Sequence, residues 1–232
     1  LMITTYDDKI LELMDSNKNL LSVKGGVIDL KKGKWRKRTK KDYMSRELDI
    51  IYDKNANTIQ FEKFINSIMN DENTKKWLKK FCGYTITGLV KEQIFTIFTG
   101  CGSNGKGVLN NIIQKTFGYL CKPLNMSLVD NRVQKDHRHK LAKLDKVRIG
   151  IIDESEFKAR LGGQFKLLTG ATPFTARANY EEPIEIDPQF QIILLTNELP
   201  EIDPDKATIR RLRVLEFPIT FVDNPDINNN FE

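Results

Sequence analysis

The sequence predicts an α/β fold built on a central parallel sheet, with a small α+β unit in front of it. Three observations carry this. Short, continuous, β-rich apolar runs stand at 93–99 (QIFTIFT), 147–152 (VRIGII) and 191–196 (QIILLT), each the length of a strand buried on both faces. Between the first two, GVLNNIIQKTF sets Leu109, Ile112, Ile113 and Phe117 on one helical face, so strand, loop and helix follow in the order a parallel sheet requires. Near Gly88 the pattern changes, which divides the chain into a unit at 1–88 and a core at 89–232.

Taken in order, residues 1–18 carry a helical stripe of Ile10, Leu11, Leu13 and Met14. LLSVKGGVIDLKKGKWRKRT, from Leu20 to Thr39, reads as short strands punctuated by Gly25, Gly26 and Gly33. Residues 59–83 return to helix, with Phe61, Phe64, Ile65 and Ile68 at spacings of three and four and Trp77, Leu78 and Phe81 repeating the stripe. In the core, residues 174–178 and 184–187 read as the arms of a β-hairpin with Asn179, Tyr180, Glu181, Glu182 and Pro183 between them.

A chain of 232 residues, 40% apolar, is long enough to bury one substantial core. Its apolar runs are too short to span a bilayer and its N-terminus lacks a signal-peptide pattern. Cys82, Cys101 and Cys121 form no CxxC pair and read as reduced thiols of a soluble, intracellular protein. The final stretch, DNPDINNNFE, is polar and closes no element, so an excised piece of a longer chain is expected. The net charge of +6 is uneven: KKGKWRKRTKK at 31–41 carries eight positive charges and no negative one. Two readings of that run stand open, a solvated hairpin and a phosphate-contacting patch with Trp35 able to stack on a base. DHRHK at 136–140 reads as a solvated basic loop rather than a metal pair through His137 and His139.

The chemistry concentrates in GCGSNGKG at 100–107. Gly100, Gly102 and Gly105 free the backbone so that the N–H groups of Ser103, Asn104, Gly107 and Val108 can converge on a polyphosphate at a helix N-terminus. Lys106 supplies a point charge to the β- and γ-phosphates. This is a P-loop in every position but the last, where Gly107 replaces the Ser or Thr whose hydroxyl would sit beside Mg²⁺. The strand VRIGII delivers Asp153 and Glu154 at its C-terminal end, where ligands of open α/β sheets bind. Asp153 is the candidate Mg²⁺ ligand and Glu154 the candidate water-polarising carboxylate. The strand QIILLT ends near Asn197, either a turn residue or an amide that orients a lytic water. Arg210, Arg211 and Arg213 precede a further apolar strand, as surface charges or as a finger reaching a neighbour's nucleotide. The hairpin region carrying Lys166, Arg177 and Tyr180 is either decoration or a contact for nucleic acid.

Together GCGSNGKG, IIDESE, LLTGATPFTARANYEEP, ILLTNELPEID and IRRLRVLEFP resemble the superfamily 3 helicases, specifically the D5-like primase-helicases of large DNA viruses and of some phages and plasmids. The stretch from Leu20 to Asp53 and on through FCGYTITGLVKEQ looks like the domain that precedes the helicase there. The resemblance covers nearly the whole chain. It implies an AAA+-type P-loop NTPase core acting as a ring-shaped homohexamer that translocates on single-stranded DNA with ATP and Mg²⁺. By that resemblance Lys106 is the Walker A lysine, Asp153 and Glu154 are the Walker B pair, Asn197 is the sensor, and Arg211 is the arginine finger acting in trans. Lys166, Arg177 and Tyr180 become the candidates for strand contact. A primase domain is expected upstream on the full-length protein, and replication of a viral genome, in the host cytoplasm or at a replication site, as the setting. The competing classes are a nucleotide-gated binding or assembly module without efficient turnover, and a P-loop motor moving another polymer, as in DNA packaging.

Overall fold

A computed structural model describes residues 8–132, 138–153, 160–177 and 182–222. The chain opens with a short helix, α1 (Asp8–Leu13), then a three-stranded antiparallel meander, β1 (Leu20–Val23), β2 (Gly26–Asp29) and β3 (Lys34–Arg36). The stripe expected in α1 does not bury, since Ile10 and Leu13 remain exposed. Two helices follow, α2 (Ile59–Ile68) and α3 (Glu72–Ile86), where the hydrophobic periodicity had suggested one run. The break has a local cause. Met69 leaves the helix in extended conformation and buries its side chain, while Asp71 caps α3 by accepting from the Thr74 N–H at 2.6 Å, a stabilisation of about 1 kcal/mol. Phe61, at the outer edge of the predicted stripe, stays largely exposed.

The core alternates strands and helices: β4 (Phe95–Thr99), α4 (Lys106–Phe117), β5 (Cys121–Leu124), α5 (Arg138–Leu141), β6 (Ile149–Asp153), β7 (Arg160–Leu161), α6 (Gly163–Thr169), β8 (Phe174–Ala176), β9 (Ile184–Ile186), β10 (Gln191–Leu195), β11 (Glu201–Ile202), α7 (Lys206–Arg211) and β12 (Leu212–Glu216). The five long strands form one wholly parallel sheet in the order β12-β4-β10-β6-β5. β8 and β9 pair antiparallel as the expected hairpin, Phe174 opposite Ile186.

Residues alternate between the two faces of the sheet, which is why its strands read as unbroken apolar runs. Phe98, Ile149, Ile151, Ile193 and Leu195 face one core, with Leu109, Ile113 and Phe117 of α4 and Leu78 and Phe81 of α3. Phe95, Ile97, Ile152, Ile192 and Leu194 face the other, with Phe165 and Leu168 of α6 and Phe174 of the hairpin. The first core also takes in Leu21, Val23, Leu48 and Ile68, so the N-terminal meander and helices pack on the α4 face of the sheet. Each such buried side chain is worth roughly 1.5–3 kcal/mol.

A buried arginine ties the same two parts together. Arg148, immediately before β6, donates from Nη1 to the Lys18 carbonyl at 2.8 Å and from Nη2 to those of Asn17 and Leu20 at 3.2 and 3.4 Å. Burial pushes its pKa down to about 10. Gly88, with φ +62°, lies so close that a Cβ there would collide with the guanidinium. The change in sequence pattern near Gly88 therefore coincides with the place where the chain makes room for Arg148. Arg148→Met should remove three hydrogen bonds to buried main chain and lower the unfolding free energy by about 2–3 kcal/mol; an unchanged urea midpoint would show that the guanidinium carries no such load.

Candidate nucleotide site

The site is assembled by strand order. Parallel pairing sets Leu195 of β10 opposite Phe98 of β4 on one side and Asp153 of β6 on the other, so the residues just past the end of β10 lie between the P-loop and the carboxylate. The loop at 100–105 links β4 directly to α4. It is fixed internally by buried Asn104, whose Nδ2 donates to the Cys101 carbonyl at 2.7 Å, and externally by the Phe221 N–H donating to the Ser103 carbonyl at 2.7 Å. Gly105 sits at φ +85°, with Ile68 Cγ2 only 2.5 Å from where a Cβ would be; no other residue fits that approach. The N-cap residue of α4, Gly105, has no side chain to cap it, no acidic residue lies in the first turn, and only the Lys106 N–H meets a side chain, Asn104 Oδ1 at 3.4 Å, which leaves the following N–H groups and the positive dipole end available to an anion.

Lys106, the first residue of α4, is buried, and its Nζ donates to the Gly100 carbonyl at 2.6 Å and to Asn197 Oδ1 at 3.2 Å. Desolvation pulls its pKa below the ordinary lysine value, opposed by nearby Cys101 and Asp153. Asn110 stands one turn further along the same face of α4 and extends Nδ2 to within 3.4 Å of Asp153 Oδ2, while Gln114 Nε2 donates to Asn110 Oδ1 at 2.9 Å. These elements wall a cleft of about 330 Å³ formed by residues 102–108, Asp153 and residues 195–197. Asn110 and Gln114 escaped the sequence reading, although the i, i+4, i+8 spacing from Lys106 places all three on one helical face.

Of the other sequence candidates, Glu154 and Tyr180 lie outside the described residues, as does His137. Lys166 belongs to α6 and not to the hairpin; its Nζ pairs with Asp205 Oδ2 at 2.9 Å and holds that carboxyl well below the usual range. Arg177 follows β8 at the hairpin's exposed edge. Arg211 is buried in its own chain, donating to the Ala207 carbonyl at 2.7 Å and reaching Gln93 Oε1 at 3.4 Å, with Nε unpartnered. Arg210 and Arg213 are the exposed members of that cluster. All three lie at the end of the sheet away from Lys106, roughly 17 Å across a five-residue strand. Burial raises the Cys82 and Cys121 thiols to about 11 and about 12. Among the described residues no group of three or more His, Cys, Asp or Glu could hold a metal ion. Nor, among them, is any helix long and apolar enough to cross a membrane.

The donor set fits Mg²⁺ in one specific way. Asp153 is the single carboxylate in the described walls of the cleft, and a Cβ at Gly107 would meet nothing within 4 Å. Mg²⁺ keeps several waters and binds through one or two carboxylates plus substrate phosphates, so one carboxylate beside an open position suffices.

Comparison with known proteins agrees with this geometry. A family model described as "D5 N terminal like" matches residues 4–70, and one described as a family of unknown function (DUF5906) matches residues 98–211. The protein called "Putative helicase L207/L206" in Acanthamoeba polyphaga mimivirus is 32% identical over 225 residues, covering 94% of this chain and 23% of that protein. "Putative helicase 184R" of Invertebrate iridescent virus 6 is 32% identical over 234 residues, covering 94% of this chain and 24% of that protein. The chain thus spans about a quarter of the length of these relatives. Among solved structures, the apo C-terminal region of NrS-1 superposes with a TM-score of 0.55 at 16% identity over 75% of this chain and 40% of that one, a likeness of fold. With two family models in sequence order and viral relatives called putative helicases that match 94% of this chain, the chain is similar to the D5-like viral helicases.

Proposed function

We propose that this chain is the ATP-hydrolysing motor segment of a viral DNA helicase, acting on single-stranded DNA as a homohexamer. The observation that carries the reading is the convergence of Lys106, Asn197 and Asp153 on one cleft at an uncapped helix N-terminus. A buried ammonium with two neutral acceptors is a poor resting place for a charge and a good one for a triphosphate.

In this reading ATP lays its β- and γ-phosphates along the N–H groups of residues 102–108, and Lys106 turns from the Gly100 carbonyl to the phosphate oxygens. That movement frees the Asn197 amide to orient a water against the γ-phosphorus. Attack forms one P–O bond as the bond to the β-phosphate oxygen breaks; the water's proton passes to Glu154, the carboxylate next to Asp153 in sequence, and ADP and phosphate leave. Asp153, steadied by Asn110, would hold Mg²⁺, which supplies charge neutralisation on the phosphates. Because Arg211 is buried and spent on its own helix, we assign the trans contact to Arg210, which is exposed beside it and held by Gln93 Oε1 at 2.6 Å, and give Arg211 a positioning role.

The purified chain should hydrolyse ATP faster in the presence of single-stranded DNA; nucleotide binding without turnover would favour a gated binding module instead. Gly107→Ser should fold normally and lower the Mg²⁺ concentration for half-maximal turnover by roughly threefold, whereas an unchanged Mg²⁺ dependence would make the hydroxyl position irrelevant. Arg210→Ala protein and Asn197→Ala protein, each inactive alone, should regain turnover when mixed, since a ring of both contains interfaces with every group intact; no recovery on mixing would place the arginine's action within one chain.

A further inference from the structure

A large cavity lies at the other end of the sheet from Lys106. It encloses about 580 Å³ between the N-terminal meander and the segments that lead into β5 and β6, and its walls include Arg46, Tyr119, Lys122, Lys143, Lys146 and Arg148. A second cavity of about 460 Å³, walled by Arg38, Lys40 and Tyr43, shares Met14 and Met44 with the first. The two therefore form one groove. Seven basic side chains line it against two acidic ones, Asp15 and Asp145.

The charges are differently engaged. Arg148 is spent on main-chain carbonyls, and Arg38 lies 3.4 Å from Glu47. Asp15 accepts from the Ser45 N–H and hydroxyl. Among the described residues Lys40, Arg46, Lys122, Lys143 and Lys146 have no ion-pair partner. Arg46 instead stands 5.7 Å over the Tyr119 ring, holding a flat cationic-aromatic surface at the groove's centre. Beyond the groove's own lining, Lys31, Lys32, Lys34 and Lys37 of the same basic run are exposed in the β2–β3 turn and along β3.

We propose that this groove binds a single-stranded nucleic acid, with Lys40, Arg46, Lys122, Lys143 and Lys146 on its phosphates and Tyr119 and Tyr43 against its bases. A free phosphate or nucleotide would want cations converging on one point; these are strung along a groove and interleaved with rings, the pattern that holds a strand. Two members of the basic run at 31–41, Arg38 and Lys40, line this groove, which favours a contact role for that end of the run. The site is separate from the ATP cleft, so both can be filled together. The inference takes the class of partner from the function proposed above but needs no ATP turnover.

The test uses fluorescence anisotropy of a labelled 20-nucleotide oligothymidylate over a range of salt, with ATP binding and basal ATP hydrolysis measured on the same proteins. The triple variant Lys40→Glu, Lys122→Glu, Lys143→Glu should bind the oligonucleotide about tenfold or more weakly, with a salt slope shallower by about 2, three phosphates at about 0.7 each. Its ATP binding should match the unaltered chain, which also shows that it folds. Tyr43→Leu should weaken oligothymidylate severalfold while leaving inorganic polyphosphate unaffected. Unchanged oligonucleotide affinity in the triple variant, with loss confined to Arg177→Glu on the hairpin, would overturn the groove; so would polyphosphate binding as tightly as DNA with Tyr43→Leu without effect. Absence of ATP hydrolysis alongside a DNA-binding loss in the triple variant would sink the motor and keep the groove.

Discussion

A lysine ammonium drawn out of water, with one carbonyl and one amide oxygen for company, is the interaction on which the rest of this structure turns. Burial disfavours the charged form and already draws the Lys106 pKa down. The protein sustains that cost at the mouth of an uncapped helix whose N–H groups also lack anionic partners. Two unfavourable features side by side are relieved by the same ligand, a polyanion. The Gly100 and Asn197 contacts act as placeholders that a phosphate can displace.

Holding that arrangement is a task for the sheet. β10 between β4 and β6 brings Asn197 to the lysine and leaves Asp153 one strand further on. Both faces of these strands are covered, one by α4 and the N-terminal meander and helices, the other by α6 and the hairpin. The N-terminal part consequently contributes to the core beneath the sheet; Ile68 of α2 even reaches the P-loop at Gly105. The same packing opens a groove at the far end of the sheet, lined from both parts of the chain.

How far the sequence could be read depends on what each feature rests on. The P-loop, the three long strands and the β8–β9 hairpin were legible because they rest on local patterns: glycines at fixed spacing, unbroken apolar runs, turn residues between two arms. The break between α2 and α3 was missed, although Asp71, a capping residue inside a stripe that looked continuous, is a local signal for it. What sequence could not disclose depends on partners distant along the chain. Lys166 looked available for DNA until Asp205 took it, and Arg211 looked like a finger until Gln93 and its own helix absorbed it. Arg148 read as one more charge before β6, whereas it binds carbonyls about 130 residues earlier.

The account stands most directly on the ammonium at the helix start. Calorimetric titration of MgATP into the unaltered chain and into Lys106→Ala reads it without needing turnover, DNA or a ring. The account predicts a loss of about a hundredfold in affinity, ~3 kcal/mol, with the fold intact by circular dichroism. Equal affinity in the two proteins would contradict it.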